Sequence, residues 1–198
     1  MVTKMGEFVH YSKRSIERIV RRERNVGNII ILAGGSFDQY HDGHVYFLRE
    51  CKRIGEQYLE MKLGKNIEDL SEEAILIVNV GNDGRVSLKK GEGKPIFEEK
   101  SRARIVSSID AVDYTTVHPY VNESPTFALA KIVRPDIIVT GSDDGGTFNK
   151  RIKRREIRDE LGYKVRFDEV PRVGDVSSSS ILNSLIRLGP KLVEKSAA

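Results

Sequence analysis

Four short apolar runs constrain this chain more than any other feature. They are Asn28 to Ala33 (NIIILA), Ile75 to Val80 (ILIVNV), Val112 to Val117 and Asp136 to Thr140 (DIIVT). The first, second and fourth are nearly continuous in apolar residues, so a strand formed there needs cover on both faces. Helical patterns alternate with them. Residues 12–25 are amphipathic. His44 to Ile54 places Phe47, Leu48, Cys51 and Ile54 on one face, and Ser101 to Ile109 aligns Ala103, Val106 and Ile109. Ser124-Pro125 reads as an N-cap followed by proline at the first helical position, in a helix that stops before Pro135. Residues 149–161 form a charged helix, Tyr163 to Val170 a fifth strand, and Ser177 opens a last helix. Strand–helix alternation of this kind predicts an α/β fold, a doubly wound parallel sheet in a single domain.

The boundaries expected from this pattern are an N-terminal helical extension over 1–27, the α/β domain over 28–189 and a tail over 190–198. Within the domain, Glu56 to Glu73 is longer than the crossover needs and reads as an insertion, 56–73. Composition agrees with a soluble globular protein: of 198 residues, 39% are hydrophobic and 31% charged, enough to build a core. No apolar run reaches membrane-spanning length, and Met1 to Tyr11 contains no signal-peptide core, so no membrane partner is expected. A single cysteine, Cys51, excludes an intrachain disulfide and a multi-cysteine metal site, and fits a reducing cytoplasm. The net charge of +4 is mild. It suits an enzyme of phosphate esters as well as a nucleic-acid binder. Arg18-Arg21-Arg22-Arg24 and Lys150-Arg151-Lys153-Arg154-Arg155-Arg158 read better as solvated helix faces than as a nucleic-acid patch.

Open parallel sheets bind ligands beyond the carboxyl ends of their strands. The first run leads there to Gly34-Gly35-Ser36, the second to Gly81-Asn82-Asp83 and the fourth to Gly141-Ser142-Asp143. The first continues as Phe37-Asp38-Gln39-Tyr40-His41-Asp42-Gly43-His44. Glycines 34 and 35 would let a phosphate approach the backbone. His41 and His44, three apart at a helix start, can aim two imidazoles at one point, as imidazolium groups holding phosphate oxygens where charge builds, with Gly43 keeping the surface between them bare. Ser177 to Ser179 precede an apolar helix, whose free N–H groups make an anion site near Arg172.

The stretch G-G-S-F-D-Q-Y-H-D-G-H resembles the G-x-F-D-x-x-H-x-G-H motif of the cytidylyltransferase-like nucleotidyltransferase superfamily. That resemblance implies a Rossmann-like fold, both histidines on a triphosphate, and transfer without a covalent intermediate. Asn82-Asp83, then Lys90-Gly91-Glu92-Gly93-Lys94-Pro95 and Arg102, together with Arg134-Pro135-Asp136, are similar to the heptose 1-phosphate adenylyltransferase domain, with Lys94 where that family has arginine. Arg172 to Ser179 and Gly141-Ser142-Asp143-Asp144 look more like glycerol-3-phosphate cytidylyltransferase, with Val173 and a shifted glycine as departures.

The resemblances imply a nucleoside triphosphate (ATP favoured over CTP) and a phosphorylated sugar or polyol as partners, in a homodimer or larger homo-oligomer. His41, His44, Lys90 and Arg102 would be catalytic. Gly34, Gly35, Ser36, Phe37, Asp38, Gly43, Gly141, Ser142, Asp143, Arg172, Ser177, Ser178 and Ser179 would bind nucleotide, and Asp83, Lys90 and Arg102 the acceptor. A Mg2+ ion would be held mainly by the nucleotide, since no dedicated carboxylate cage is visible. A class I tRNA synthetase shares the histidine motif, but the chain lacks a K-M-S-K-S loop and room for a tRNA-binding body. A coenzyme A-pathway adenylyltransferase does not explain the K-G-x-x-K-P segment. The reading from another class is a nucleotide- or RNA-binding module without catalysis.

Overall fold

The computed structural model describes residues 6–119, 121, 125–142, 147–174, 180, 181, 183, 184, 186 and 187, of which 125 and 147–153 by backbone alone. The order along the chain is β1 (Glu7–Phe8), α1 (Lys13–Asn25), β2 (Ile29–Gly35), α2 (Asp42–Leu63), a 3-10 turn (Ile67–Asp69), β3 (Ala74–Gly81), α3 (Asp83–Lys90), α4 (Glu99–Ser107), β4 (Tyr114–His118), α5 (Pro125–Val133), β5 (Ile137–Gly141), α6 (Thr147–Leu161) and β6 (Arg166–Val170). Residues 180, 181, 183, 184, 186 and 187 are helical as well.

The six strands form one sheet in the order β1-β4-β3-β2-β5-β6, and each neighbouring pair is parallel. The fold is therefore the expected doubly wound, Rossmann-like α/β sheet. Alternate residues of each strand serve two cores. Ile29, Ile31 and Ala33 of β2 pack with Leu48 and Cys51 of α2 and Ala103 and Val106 of α4. Ile30 and Leu32 pack on the other face with Ile16 and Ile19 of α1, Leu129 and Val133 of α5 and Ile157 of α6. This double cover is why the strands read as unbroken apolar runs. From β2 the chain winds to β3 and β4 on one side and later to β5 and β6 on the other. The carboxyl ends of β2 and β5 thus flank the topological switch point.

Two segments marked out in the sequence are built into the fold. The N-terminal segment, with helix α1, is joined to the sheet. Glu7 and Phe8 pair with Tyr114 and Thr115, and α1 docks through a buried polar knot. In that knot Tyr114 Oη donates to Glu23 Oε1 at 2.6 Å, and Asn28 Nδ2 donates to Glu23 Oε2 at 2.9 Å. Arg22 also donates to the Tyr114 hydroxyl, and Arg24 donates to Arg134 O and pairs with Asp136, so half of that arginine cluster fastens the helix to the sheet. The 56–73 segment lengthens a helix of the domain. Residues 56–63 continue α2, with Gly55 packed against Ile31 where a Cβ would collide, until Gly64 ends the helix at φ +66°. Ile67 to Asp69 and Leu70 then lead back to β3.

Candidate active site

The loop after β2 is held from below. Phe37 and Gln39 adopt positive φ, 49° and 50°, a region that bulky residues avoid unless the surroundings dictate it. Three anchors do so. The Phe37 ring is 2% exposed and lies over Gly35, where a Cβ would stand 3.1 Å from it. Asp38, 1% exposed, accepts from Ile96 N at 3.0 Å and Phe97 N at 3.2 Å, so it ties this loop to the segment before α4. Arg102 of α4 is 0% exposed and donates to Ser36 O, to Phe97 O at 2.7 Å and to Asp83 Oδ1 at 2.6 Å.

These contacts give five of the residues named from the sequence a structural role inside the protein. Arg102 is not an open phosphate ligand: its donors are engaged inside the protein, where it positions Ser36. Asp83 is its counter-ion at the start of α3. At Gly34 a Cβ would collide with Thr126 Oγ1 of α5, and at Gly35 it would crowd the Phe37 ring. A Cβ at Gly43 would lie 3.0 Å from the His41 ring, so that glycine makes room for the imidazole.

His41 is the N-cap of α2, and its backbone N–H donates to His44 Nδ1 at 3.3 Å. The two rings are 4.0 Å apart between centroids. His44 is boxed further by Tyr40, stacked at 5.2 Å, and Phe37 at 5.4 Å. This burial, with the charges of His41 and Lys90, pushes His44 down to about 4 against a weaker opposing pull from Asp38. Burial and the nearby charge of Arg172 lower His41 too, while Asp42 opposes. With its proton affinity lowered this far, His44 is neutral at neutral pH in this structure. With Nδ1 accepting, its proton sits on Nε2, a hydrogen-bond donor. His41 Nδ1 is buried without a hydrogen-bond partner among the described residues.

His44 lines a cleft of about 580 Å³ that runs over Gly34, Gly35, Ser36 and Phe37 and reaches Thr140 and Gly141 at the end of β5. Lys90, the last residue of α3, lines it and donates to Ser36 Oγ at 2.8 Å; burial lowers its affinity for a proton, with Asp38 opposing. Ser142 Oγ accepts from Arg172 N at 3.1 Å, joining the end of β5 to the strand-exit loop after β6. Asp143 and Ser177, Ser178 and Ser179 lie outside the described residues. Sequence reasoning misses Asn79, Arg85, Lys89, Thr126 and Arg154, which also line the cleft. Its described lining includes Arg85, Lys89, Lys90 and Arg154 and no carboxylate. Such a balance favours a polyanion.

The profile of a family described as cytidylyltransferase-like matches residues 32–184. Among curated relatives, the bifunctional protein HldE of Desulfatibacillum aliphaticivorans is 30% identical over 162 residues, 82% of this chain and 28% of the relative. The HldE protein of a Nitratiruptor species is 34% identical over 131 residues, 66% of this chain and 24% of the relative. The chain thus spans about a quarter of the length of these relatives. A lipopolysaccharide core biosynthesis protein from Thermoplasma volcanium superposes with a TM-score of 0.56 at 25% identity, covering 75% of this chain and 100% of that one. Pantothenate synthetase from Thermus thermophilus shares the fold, with a TM-score of 0.57 at 13% identity over 88% of this chain and 67% of its own. Among the described residues no helix is long and apolar enough to cross a membrane.

Proposed function

This chain belongs to the cytidylyltransferase-like family and is a nucleotidyltransferase; we propose that it transfers the nucleotidyl group of ATP to a sugar or polyol phosphate and releases pyrophosphate. The observation that carries this reading is the histidine pair at the N-terminus of α2, set at the end of the strand beside the switch point, with His44 lining a cation-rich cleft.

An acceptor phosphate is already a nucleophile. One of its oxygens forms a bond to the α-phosphorus as the bond from that phosphorus to the β-phosphate bridging oxygen breaks, and the electron pair leaves with pyrophosphate. No proton need be removed, so the protein contributes orientation and charge stabilisation. Neutral His44 donates from Nε2 toward an α-phosphate oxygen. His41 stands against the His44 ring at the N-terminus of α2, whose N–H groups favour the same anion. Lys90, steadied on Ser36, neutralises phosphate charge beside them. Arg172 and the serines 177–179 belong to this reading as the grip on the leaving pyrophosphate. A Mg2+ ion would add charge neutralisation. In this reading triphosphate oxygens would be its main ligands, as is usual for Mg2+ at phosphate-transfer sites.

ATP is favoured because the segment from Asn82 to Arg102 resembles the adenylyltransferase domain, whereas Arg172 to Ser179 grips groups every triphosphate shares. Pyrophosphate release with each of ATP and CTP, and a panel of phosphorylated sugars and polyols, tests the reading. Turnover with ATP and a sugar phosphate supports it, and a higher kcat/KM for CTP transfers the assignment to a cytidylyltransferase. Absence of turnover with all pairs overturns it.

A further inference from the structure

α3 crosses the carboxyl edge of the sheet and carries a cation at each end. Lys90 is fixed on the β2 side, on Ser36 Oγ at 2.8 Å. Arg85 is fixed on the β4 side: its guanidinium donates to Val121 O at 3.0 Å, three residues beyond that strand. Between these anchors lies β3, so the anchors are two strand spacings apart, about 10 Å. The helix gives a similar figure, since five residues at 1.5 Å rise make ~7.5 Å. Both side chains line the cleft.

The switch point between β2 and β5 lies on the far side of Lys90 from Arg85. With triphosphate at Gly35, Ser36 and the histidines, the acceptor takes the remaining half of the cleft, over β3 and toward β4. Its nucleophilic phosphate must sit at the α-phosphorus, near Lys90 and out of reach of Arg85. Yet Arg85 is a partly buried charge whose sole side-chain hydrogen bond among the described residues goes to a neutral carbonyl. No carboxylate in the described lining offsets it, and Lys89 and Lys90 on the same short helix add like charge. A bound anion would offset that repulsion, and a guanidinium fork matches carboxylate or phosphate.

We propose that Arg85 is a specificity residue that selects an acceptor bearing a second anionic group, a carboxylate or phosphate about 7–10 Å from the reacting phosphate. This rests on the transferase reading above. A sugar phosphate chain of six or seven carbons spans that distance, so the class is an acidic sugar phosphate or a sugar bisphosphate.

The test compares three acceptors with ATP and Mg2+: a neutral hexose 1-phosphate, a hexuronic acid 1-phosphate and a hexose 1,6-bisphosphate. Pyrophosphate release is followed for the intact chain and for Arg85→Gln and Arg85→Lys. The expected result is a preference of roughly 10- to 100-fold in kcat/KM for one doubly anionic acceptor over the neutral one. That preference collapses in Arg85→Gln, chiefly through KM, and is partly restored in Arg85→Lys. Which of the two acids is preferred identifies carboxylate or phosphate. Equal kcat/KM for all three acceptors in the intact chain overturns the proposal and leaves the transferase reading standing. So does an equal loss for all three in Arg85→Gln, which would make the residue a support for the Val121 loop. If no acceptor turns over, calorimetric binding of the same compounds separates the two ideas. Tighter binding of a doubly anionic compound, lost in Arg85→Gln, supports the subsite though the transfer reading fails; indifference sinks both.

Discussion

Replacing His44 by glutamine should remove an acid sensitivity that the fold builds in. Burial among Tyr40, Phe37 and His41 lowers this imidazole from 6.5 to about 4. In the unfolded chain it takes up a proton below pH 6.5, while in the folded chain it stays neutral until about pH 4. Between these values the unfolded state binds more protons, so folding stability is complete above pH 6.5 and erodes as pH falls, levelling off near 4. At about 1.4 kcal/mol for each pH unit the loss is about 3 kcal/mol. Urea unfolding of the intact chain and of His44→Gln, at closely spaced pH values from about 7.5 to about 3.5, measures it. The difference between the two stability curves should be flat above about pH 6.5 and shift by about 3 kcal/mol in favour of the variant by about pH 4, because titrating groups not coupled to His44 cancel in the subtraction. Parallel curves across the whole range would refute the neutral, desolvated His44, and with it the tautomer assigned to Nε2.

His41→Ala and His44→Ala should each lower kcat by roughly 10²–10³ with the fold retained, read by pyrophosphate release beside circular dichroism. Arg102→Met strands Ser36 O and Phe97 O, while Asp83, at 41% side-chain exposure, regains water. The cost should be about 2–4 kcal/mol in urea unfolding, with kcat falling in the surviving folded protein. Gly34→Ala drives a Cβ into Thr126 Oγ1 and should cost about 1–3 kcal/mol, much of it recovered in Gly34→Ala/Thr126→Ala. Lys90→Met should weaken triphosphate binding about 10-fold in a calorimetric titration while leaving Tm within a degree or two, since its anchor on Ser36 is exposed.

The sheet is legible because doubly covered strands have to be apolar along both faces, and Ile29 to Ala33, Ile75 to Val80 and Ile137 to Val139 are nearly so throughout. β1 escapes notice since two residues, Glu7 and Phe8, carry no period. α3 escapes it too, although Asn82 caps it through Oδ1 to Arg85 N at 2.7 Å and Gly91 follows it. Its single buried apolar residue, Val86, leaves no helical stripe. The histidine pair can be found from spacing, because a capping position and the third residue of the first turn meet by local geometry. Arg102 cannot be placed that way. Whether an arginine in the first turn of a helix faces solvent or the interior depends on Ser36, Phe97 and Asp83, which only the tertiary fold brings to it. Arg85 and Lys89 lack a signal for the same reason: their relevance comes from α3 crossing above β3, a fact of topology and not of local sequence.

The burial of Arg102 changes what the conspicuous charges of this site do. A guanidinium with three internal acceptors is a fixed strut, and its partners are the backbone of the loop that precedes His41 and the first turn of the helix that ends in Lys90. One side chain therefore couples the position of the loop leading to the histidines with the direction of α3. Asp38 ties the same loop to the segment before α4 through Ile96 and Phe97. Positive φ at Phe37 and Gln39 is tolerated because both struts over-determine the loop between them. Two of the groups that line the cleft, His44 and Lys90, then need little reorganisation when a triphosphate arrives. Catalysis by preorganised charge requires that condition, and acid–base catalysis would not require it so strictly.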